Sequence, residues 1–131
     1  MSTPTSTPFV TVCRLDDLVK ELGVAALLPG ADDGDPEGRQ IALFRMVDDT
    51  VYAVQQRDPF AGSNVLARGL VGTHSDGKLG LVDEPVLSSP MYKQVWSLRT
   101  GACLDAQGKA PQDIRVYPTR VVDGIVEVCA V

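Results

Sequence analysis

Cysteine and histidine are the side chains that most readily bind metals or act as nucleophiles, and this chain has few of them. Its 131 residues include three cysteines and one histidine. Cys13, Cys103 and Cys129 are far apart, and no two of them have the close spacing of a zinc or iron-sulfur knuckle. Three scattered cysteines do not form the paired pattern of a disulfide framework. The reducing cytoplasm is therefore the expected compartment.

The other candidates for acid-base or nucleophilic chemistry lie in contexts typical of turns. His74 precedes a Ser-Asp-Gly turn and is predicted to be a solvated histidine rather than a general base. Cys103 follows a Thr-Gly turn and is predicted to be a small core residue, because no base or oxyanion site lies nearby. The pairs Asp32-Asp33 and Asp48-Asp49 are predicted to be solvated turn residues rather than acid-base pairs or calcium ligands. No dinucleotide-binding or phosphate-binding glycine motif is present, so we predict no catalytic residue in this chain.

Two short segments each carry a proline beside positions of unusual composition, Asp58-Pro59-Phe60-Ala61-Gly62 and Ser89-Pro90-Met91-Tyr92-Lys93. They resemble the two loops of a Rieske domain, where a Cys-Pro-His-x-Gly run and a Cys-Pro-x-His-Gly run hold a [2Fe-2S] cluster with two Cys and two His. The resemblance places Asp58 and Ser89 at the cysteine positions and Phe60 and Tyr92 at the histidine positions. Phe60 and Tyr92 are poor ligands, so these four positions predict no metal site.

The order of motifs along residues 9–130 resembles a narrower family, the small subunit of assimilatory NAD(P)H-dependent nitrite reductase. The resemblance is carried by residues 12–18, 40–44, 57–60, 89–94, 98–104, 117–121 and 123–124. One departure is the acidic stretch 30–38, which is interpreted as an inserted loop. Another is the 28 residues between Phe60 and Ser89, more than typical Rieske proteins have, which favours this family over a cluster-bearing ferredoxin.

The resemblance implies a non-redox subunit of an enzyme that reduces nitrite to ammonia with electrons from NAD(P)H in nitrate and nitrite assimilation. The partner would be the large subunit, which in this family carries FAD, an iron-sulfur cluster and sirohaem. This chain would bind no cofactor and would be non-catalytic alone, acting by stabilising, positioning or gating its partner. A second hypothesis is a stand-alone, ligandless Rieske-like adaptor that docks on another oxidoreductase.

In Rieske proteins the two loops form an exposed tip that meets a redox partner. The candidate partner-binding residues are therefore Arg57, Phe60, Met91, Tyr92 and Lys93. Aromatic side chains and methionine are enriched in interface cores, while Arg57 and Lys93 would supply polar contacts and electrostatic steering. The structural alternative is that Phe60 and Tyr92 fill the volume that a cluster would occupy, because an unfilled hole costs stability. The docking role and the space-filling role are compatible if one ring points inward and the other points outward.

Short apolar runs separated by turn signals predict an all-β fold. Residues 40–46 and 51–54 are predicted to form one hairpin, and residues 115–122 and 125–131 another across Asp123-Gly124, a dipeptide typical of a type I′ turn. One short helix is predicted over residues 14–22, with apolar side chains at helical spacing and Gly23 as its end. The resemblance specifies the fold as a Rieske-like antiparallel β-sandwich with a smaller loop-bearing subdomain.

The length of the chain predicts the number of domains, and its net charge indicates which partners are disfavoured. Residues 1–8 are predicted to be a disordered lead-in, and residues 9–131 a single Rieske-like domain, since 131 residues are near the common domain size. The net charge of -5 disfavours nucleic acid and anionic membranes as partners, because both favour an excess of Lys and Arg. No stretch approaches the roughly 20 apolar residues of a membrane span, and the start lacks a signal peptide pattern. A cytoplasmic protein is expected.

Overall fold

The computed structural model describes residues 9–28, 39–78 and 80–129, which form thirteen strands. The strands are β1 (Phe9–Arg14), β2 (Gly23–Leu28), β3 (Arg39–Arg45), β4 (Val51–Gln55), β5 (Arg57–Asp58), β6 (Ser63–Asn64), β7 (Leu70–Asp76), β8 (Leu81–Ser88), β9 (Val95–Ser97), β10 (Cys103–Asp105), β11 (Val116–Tyr117), β12 (Thr119–Val122) and β13 (Ile125–Cys129). Two single turns of 3-10 helix span Leu15–Asp17 and Leu66–Arg68. The predicted lead-in at 1–8 and the acidic loop at 30–38 lie outside the described residues.

The strands form three antiparallel sheets and one small ribbon, and β3 connects the two hydrophobic cores. The sheet orders are β1-β13-β12, β11-β4-β3-β2 and β10-β9-β8-β7, with β5-β6 as the ribbon. Successive residues of a strand point to opposite faces. Ile41 and Leu43 therefore pack with Val126 of β13 in one core, while Phe44 packs with Trp96 of β9 in the other. β3 is buried on both faces from Ile41 to Phe44, so it is an almost continuous apolar run.

The first predicted hairpin is confirmed, and the last is confirmed in part. β3 pairs with β4, and β12 pairs with β13. Asp123 and Gly124 have φ values of 52° and 77°, as a type I′ turn requires. The predicted strand over 115–122 is wrong as a single element, because β11 pairs with β4 and β12 pairs with β13. Pro118 separates them, since proline has no N–H with which to continue a ladder.

The predicted helix over residues 14–22 is wrong, because only Leu15–Asp17 is helical. The chain is extended at Leu18, which is buried, whereas Val19 and Leu22 are exposed. Arg45 Nη1 donates to the carbonyl oxygens of Leu15 and Leu18 at 3.2 and 3.1 Å and so binds acceptors that a longer helix would need. So short a segment also gains little from helix propagation. Within the described residues, no helix is long and apolar enough to cross a membrane.

Candidate functional site at the paired loops

The first loop, residues 58–62, is organised by the side chain of Asp58. Asp58 is fully buried at the end of β5. Its Oδ1 accepts hydrogen bonds from the backbone N–H groups of Phe60 and Ala61 at 2.8 and 3.1 Å. The Gly62 N–H donates to the Asp58 carbonyl at 2.8 Å, with Gly62 at a φ of 71°. A short acidic side chain that accepts from amides two and three residues later stabilises such a turn.

The second loop, residues 89–94, connects β8 to β9 and is built around Ser89 in the same way. Ser89 is buried, and its Oγ accepts hydrogen bonds from the N–H groups of Met91 and Tyr92 at 3.0 and 3.4 Å. The Ser89 N–H donates to the Gln94 carbonyl at 2.8 Å and closes the loop. Lys93 has a φ of 67°, which a non-glycine residue seldom adopts.

A direct hydrogen bond joins the two loops, and we call this contact the loop junction. The Ser89 hydroxyl donates to Asp58 Oδ2 at 2.6 Å. Together with the two backbone donors at Oδ1, this bond satisfies the buried Asp58 carboxylate, which would otherwise be costly to desolvate. Hydrogen bonds to a charged acceptor each contribute about 1.5–3 kcal/mol to the free energy of unfolding. The junction therefore fixes the loops to one another as well as to themselves.

The two aromatic residues of the loops have opposite environments. The Phe60 ring is partly buried against the core, with its centroid 6.0 Å from that of Trp96 at a tilt of 38°. Tyr92 is 51% exposed and its neighbour Met91 50% exposed. Arg57 and Lys93 are exposed as well. Of the five sequence-predicted partner-binding residues, Phe60 thus packs inward, and the other four present side chains to solvent.

The three cysteines lie on strands rather than in the two loops. Cys13 is in β1, Cys103 in β10 and Cys129 in β13. Burial, with a smaller contribution from the charge of Asp17, raises the pKa of the Cys13 thiol, which disfavours the reactive thiolate. The Cys103 side chain packs against the Trp96 core, consistent with the predicted core role. Among the described residues, no three His, Cys, Asp or Glu side chains come together to hold a metal ion.

The predicted turn residues are placed mostly as expected. His74 is exposed, but it lies on β7 rather than in a turn, because the strand extends through Asp76. Asp48 and Asp49 occupy the β3–β4 turn, where Asp48 Oδ1 accepts from the Thr50 N–H at 3.0 Å. That hydrogen bond is the main reason for a lowered Asp48 pKa. Both carboxylates therefore stabilise a turn rather than form an acid-base pair.

A second buried carboxylate, which the sequence analysis missed, repeats the design of the loop junction. The Ser97 hydroxyl donates to Glu84 Oε2 at 2.5 Å and accepts from the N–H groups of Arg99 and Thr100 at 3.1 and 3.2 Å. Arg99 Nη1 lies 3.4 Å from Glu84 Oε1. The Ser-x-x-Thr-Gly turn at 97–101 was the available signal, but nothing in the sequence connects it with Glu84.

The sequence of the chain matches that of a known family. Residues 8–129 match the family model of the Rieske-like [2Fe-2S] domain. The chain is 37% identical over 117 residues to the nitrite reductase (NADH) small subunit of Escherichia coli K12, and the match covers 88% of this chain and 92% of that protein. The chain belongs to the nitrite reductase small-subunit family of Rieske-like domains.

Solved structures agree with this family. A crystal structure described as an NADH-dependent nitrite reductase small subunit from Mycobacterium tuberculosis is 37% identical, with a TM-score of 0.74 over 95% of this chain and 96% of that one. The ferredoxin of carbazole 1,9a-dioxygenase from Nocardioides aromaticivorans is 24% identical, with a TM-score of 0.65 over 95% of this chain and 98% of that one. The second likeness shows the fold alone. The predicted family and the all-β Rieske-like fold are confirmed.

One relative carries the family's domain inside a longer polypeptide. A nitrite reductase [NAD(P)H] large subunit from Klebsiella oxytoca is 37% identical over 119 residues, which cover 91% of this chain but 10% of that protein. In that relative, the region similar to this chain is covalently joined to the rest of the large subunit.

The cluster named in the family description does not fit the residues of this chain. The oxygens of Asp58 and Ser89, which the loop resemblance aligns with the two cysteines, are hydrogen-bonded directly to each other at 2.6 Å. The Phe60 ring, which the resemblance aligns with one histidine, offers no donor atom and packs against Trp96. With one histidine in the whole sequence, the two-Cys, two-His ligand set of a Rieske centre cannot be assembled. The loops are held by hydrogen bonds in place of metal ligation.

Proposed function

We propose that this chain is the small, non-redox subunit of an assimilatory NAD(P)H-dependent nitrite reductase, which reduces nitrite to ammonia. Its partner in this proposal is a cytoplasmic large subunit that carries FAD, an iron-sulfur cluster and sirohaem. The observation that carries the proposal is the hydrogen-bonded Asp58–Ser89 pair at the cysteine positions, in a chain similar to nitrite reductase small subunits along nearly its whole length. In this proposal the chain keeps the Rieske-like fold, and a hydrogen-bonded pair of side chains replaces the iron-sulfur cluster.

The docking surface in this proposal is the tip surface, which we define as Arg57, Met91, Tyr92 and Lys93. Met91 and Tyr92 are about half exposed although they are large and apolar. Methionine and aromatic side chains are enriched at interface cores, whereas charged side chains surround them and steer association. Arg57 and Lys93 fit that surrounding role. Neither nucleic acid nor a membrane is a partner in this proposal.

The loop junction supports docking because it holds the tip surface in one shape. The hydroxyl of Ser89 accepts from the backbone of Met91 and Tyr92 while it donates to Asp58. A surface that is ordered before binding loses less conformational entropy on association. Binding that favours the active conformation of the large subunit would then shift its population, and a few kcal/mol of differential affinity are enough for such a shift.

The experiment that tests the proposal is co-production of this chain with the large subunit from the same genome. We expect the two to co-purify, and we expect NAD(P)H-dependent nitrite reduction by the complex but none by this chain alone. Nitrite turnover by the isolated chain would contradict the non-catalytic role. Recovery of this chain with an unrelated oxidoreductase instead would favour the adaptor hypothesis.

A pair of matched variants locates the docking surface. Tyr92→Asp should weaken association with the large subunit, whereas Val82→Asp should not. Val82 is a suitable control because it is 78% exposed and lies at the opposite end of β8 from the second loop. Equal binding by both variants and the unchanged chain would exclude the tip surface as the docking site.

A further inference from the structure

A polar cleft of about 520 Å³ lies beside the first loop, and the charged side chains that line it in the described part of the chain are all arginines. Arg39, Arg57 and Arg115 line it together with Gln40, Asn64 and Tyr117. Among the described residues that line it there is no Asp or Glu, although the chain has 17 acidic and 12 basic residues. The described part of this acidic protein thus brings three arginines to one cleft.

Short segments of three strands bring these arginines together. Arg57 pairs with Asn64 across the β5–β6 ribbon. Arg115, just before β11, is held by Gln55, whose side-chain oxygen accepts from the Arg115 N–H at 2.7 Å and whose own N–H donates to the Arg115 carbonyl at 2.9 Å. The backbone on either side of the cleft is therefore fixed by hydrogen bonds, not by the arginine head groups.

Tyr117 orders two of the guanidinium groups. The Arg115 Cζ lies 4.7 Å from the centroid of its ring, and the Arg39 Cζ lies 5.8 Å from it. Arg39 Nη1 also donates to the Tyr117 hydroxyl at 3.3 Å. The cation–π contact with Arg115 holds that guanidinium in place through its flat face and leaves the N–H groups at its edge directed outward for an anion.

Arg57 and Arg115, like Arg14 and Arg68, differ from three other arginines in their electrostatic partners. Arg45, Arg99 and Arg120 each form an ion pair with an Asp or Glu. In the part of the chain that the structure describes, Arg57 and Arg115 form none. Two neighbouring cations without a carboxylate repel one another and attract anions.

We propose that this cleft receives an acidic segment of the large subunit, with Asp or Glu carboxylates bound by Arg57 and Arg115. The proposal rests on the proposed function and names a second contact with the same partner. The fork of a guanidinium binds a carboxylate with two parallel hydrogen bonds. Small-molecule sites are mostly apolar and enclose their ligand, whereas this cleft is lined by arginines and amides, and Arg57 and Arg115 are exposed. Arg57 also belongs to the tip surface, so the cleft and the tip surface form one continuous face.

The first test uses the hexaglutamate peptide as a probe on the full ¹⁵N-labelled chain at low ionic strength. We expect shifts at the amides of Arg57, Asn64 and Arg115, and their loss in the double variant Arg57→Glu/Arg115→Glu. Arg68→Glu is the matched control, since Arg68 is an exposed arginine outside the cleft. The altered side chains are exposed, so the double variant should fold. Absence of peptide binding at these residues would overturn the proposal.

The second test measures association with the large subunit. The double variant should associate about tenfold or more slowly at low salt, and the difference from the unchanged chain should shrink as salt screens the charges. If the unchanged chain binds but the double variant binds equally well, the cleft proposal fails and the proposed function stands. If the peptide binds but the large subunit does not, the proposed function fails, and the large subunit is excluded as the source of the acidic segment in the cleft. Tight citrate binding with no effect of the double variant on large-subunit association would identify a small-anion site instead.

Discussion

The Ser89 hydroxyl donates a hydrogen bond of 2.6 Å to Asp58 Oδ2 across 31 residues of sequence. In a Rieske centre two cysteines are joined through one iron, and the loop resemblance aligns Asp58 and Ser89 with those two cysteines. Here the same two loops are joined through oxygen atoms, and each first residue also orders the backbone of its own loop. The loop architecture of a Rieske domain therefore persists where the cluster cannot form.

Removal of the Asp58 carboxylate should destabilise the domain strongly. Asp58→Ala leaves the N–H groups of Phe60 and Ala61 and the Ser89 hydroxyl without their acceptor in a buried site. We expect the free energy of unfolding, measured by denaturant titration, to fall by about 2–4 kcal/mol. Asp105→Ala is the control, since Asp105 makes a similar turn contact with the Gln107 N–H on the exposed surface. Equal losses in the two variants would contradict a special role of the junction.

A double-mutant cycle isolates the Asp58–Ser89 bond itself. Ser89→Ala and Asp58→Ala should each destabilise, but the double variant should lose less than the sum of the two. We expect a coupling free energy of about 1–3 kcal/mol, as for directly bonded residues. Additive losses would mean that each residue acts within its own loop alone.

The two aromatic residues of the loops should separate stability from binding. Phe60→Ala removes a ring packed against Trp96 and should lower the free energy of unfolding by about 1–3 kcal/mol, because the ring is partly rather than fully buried. Tyr92→Ala removes a half-exposed ring and should change it by less than about 0.5 kcal/mol. Denaturant titration of both variants tests this. A large loss for Tyr92→Ala would show that its ring supports the fold and is not held for a partner.

Two glycines with the same backbone conformation should respond differently to alanine. Gly101 and Gly124 have φ values of 81° and 77°, so both substitutions carry the cost of a side chain at positive φ. A Cβ at Gly101 would also lie 2.0 Å from the Ile114 carbonyl oxygen, whereas the space at Gly124 is open. Gly101→Ala should therefore destabilise by about 1–3 kcal/mol more than Gly124→Ala, as measured by thermal unfolding. Equal melting temperatures would contradict the close approach.

The turn between β3 and β4 should contribute a pH-dependent stability in acid. A hydrogen bond from Arg45 Nε at 2.9 Å, with the charges of Arg45 and Lys20, lowers the pKa of Asp49 below its ordinary value of 3.8. Because the folded state has the lower pKa, the ionised carboxylate stabilises above the unfolded value, and this contribution is lost as pH falls through the folded value. Asp49→Asn should thus lower the melting temperature at neutral pH, and the difference should vanish well below pH 3.8.

Asparagine suits this test because Asp49 has a φ of 71°, which asparagine also adopts readily. Asp123→Asn is the control, at a φ of 52° and with no ion pair in the described residues. A difference between Asp49→Asn and the unchanged chain that persists at the same size in strong acid would exclude the Arg45 contact as its cause.

Local patterns in the sequence predicted those elements that local chemistry determines. The Asp-Gly dipeptide predicted the last hairpin because positive φ at two successive residues is a strong local requirement. The helix over 14–22 failed because its apolar spacing competed with a distant residue, Arg45, whose guanidinium binds the carbonyls of that segment. Strand 115–122 failed at Pro118, where two halves of one run join different sheets.

The sequence predicted which residues form the paired loops, but it did not predict the contacts that these residues make. The loop resemblance identified Asp58 and Ser89, but neither residue type implies a bond to the other across the chain. The basic cleft could not be predicted, since Arg39, Arg57 and Arg115 are 18 and 58 residues apart and follow no motif. Their convergence depends on the β5–β6 ribbon and on pairing between β11 and β4, which is long-range information.

Because hydrogen bonds among oxygen and nitrogen atoms hold the two loops, this domain can reach its folded structure without iron. Iron-sulfur centres must be loaded with metal and sulfide, and their thiolate ligands are subject to oxidation. A carboxylate and a hydroxyl are complete as soon as the chain folds, and neither air nor a chelator removes them. The domain is therefore expected to reach its final form under iron starvation and in aerated cells, and in the proposed complex any sensitivity to those conditions would arise in the large subunit.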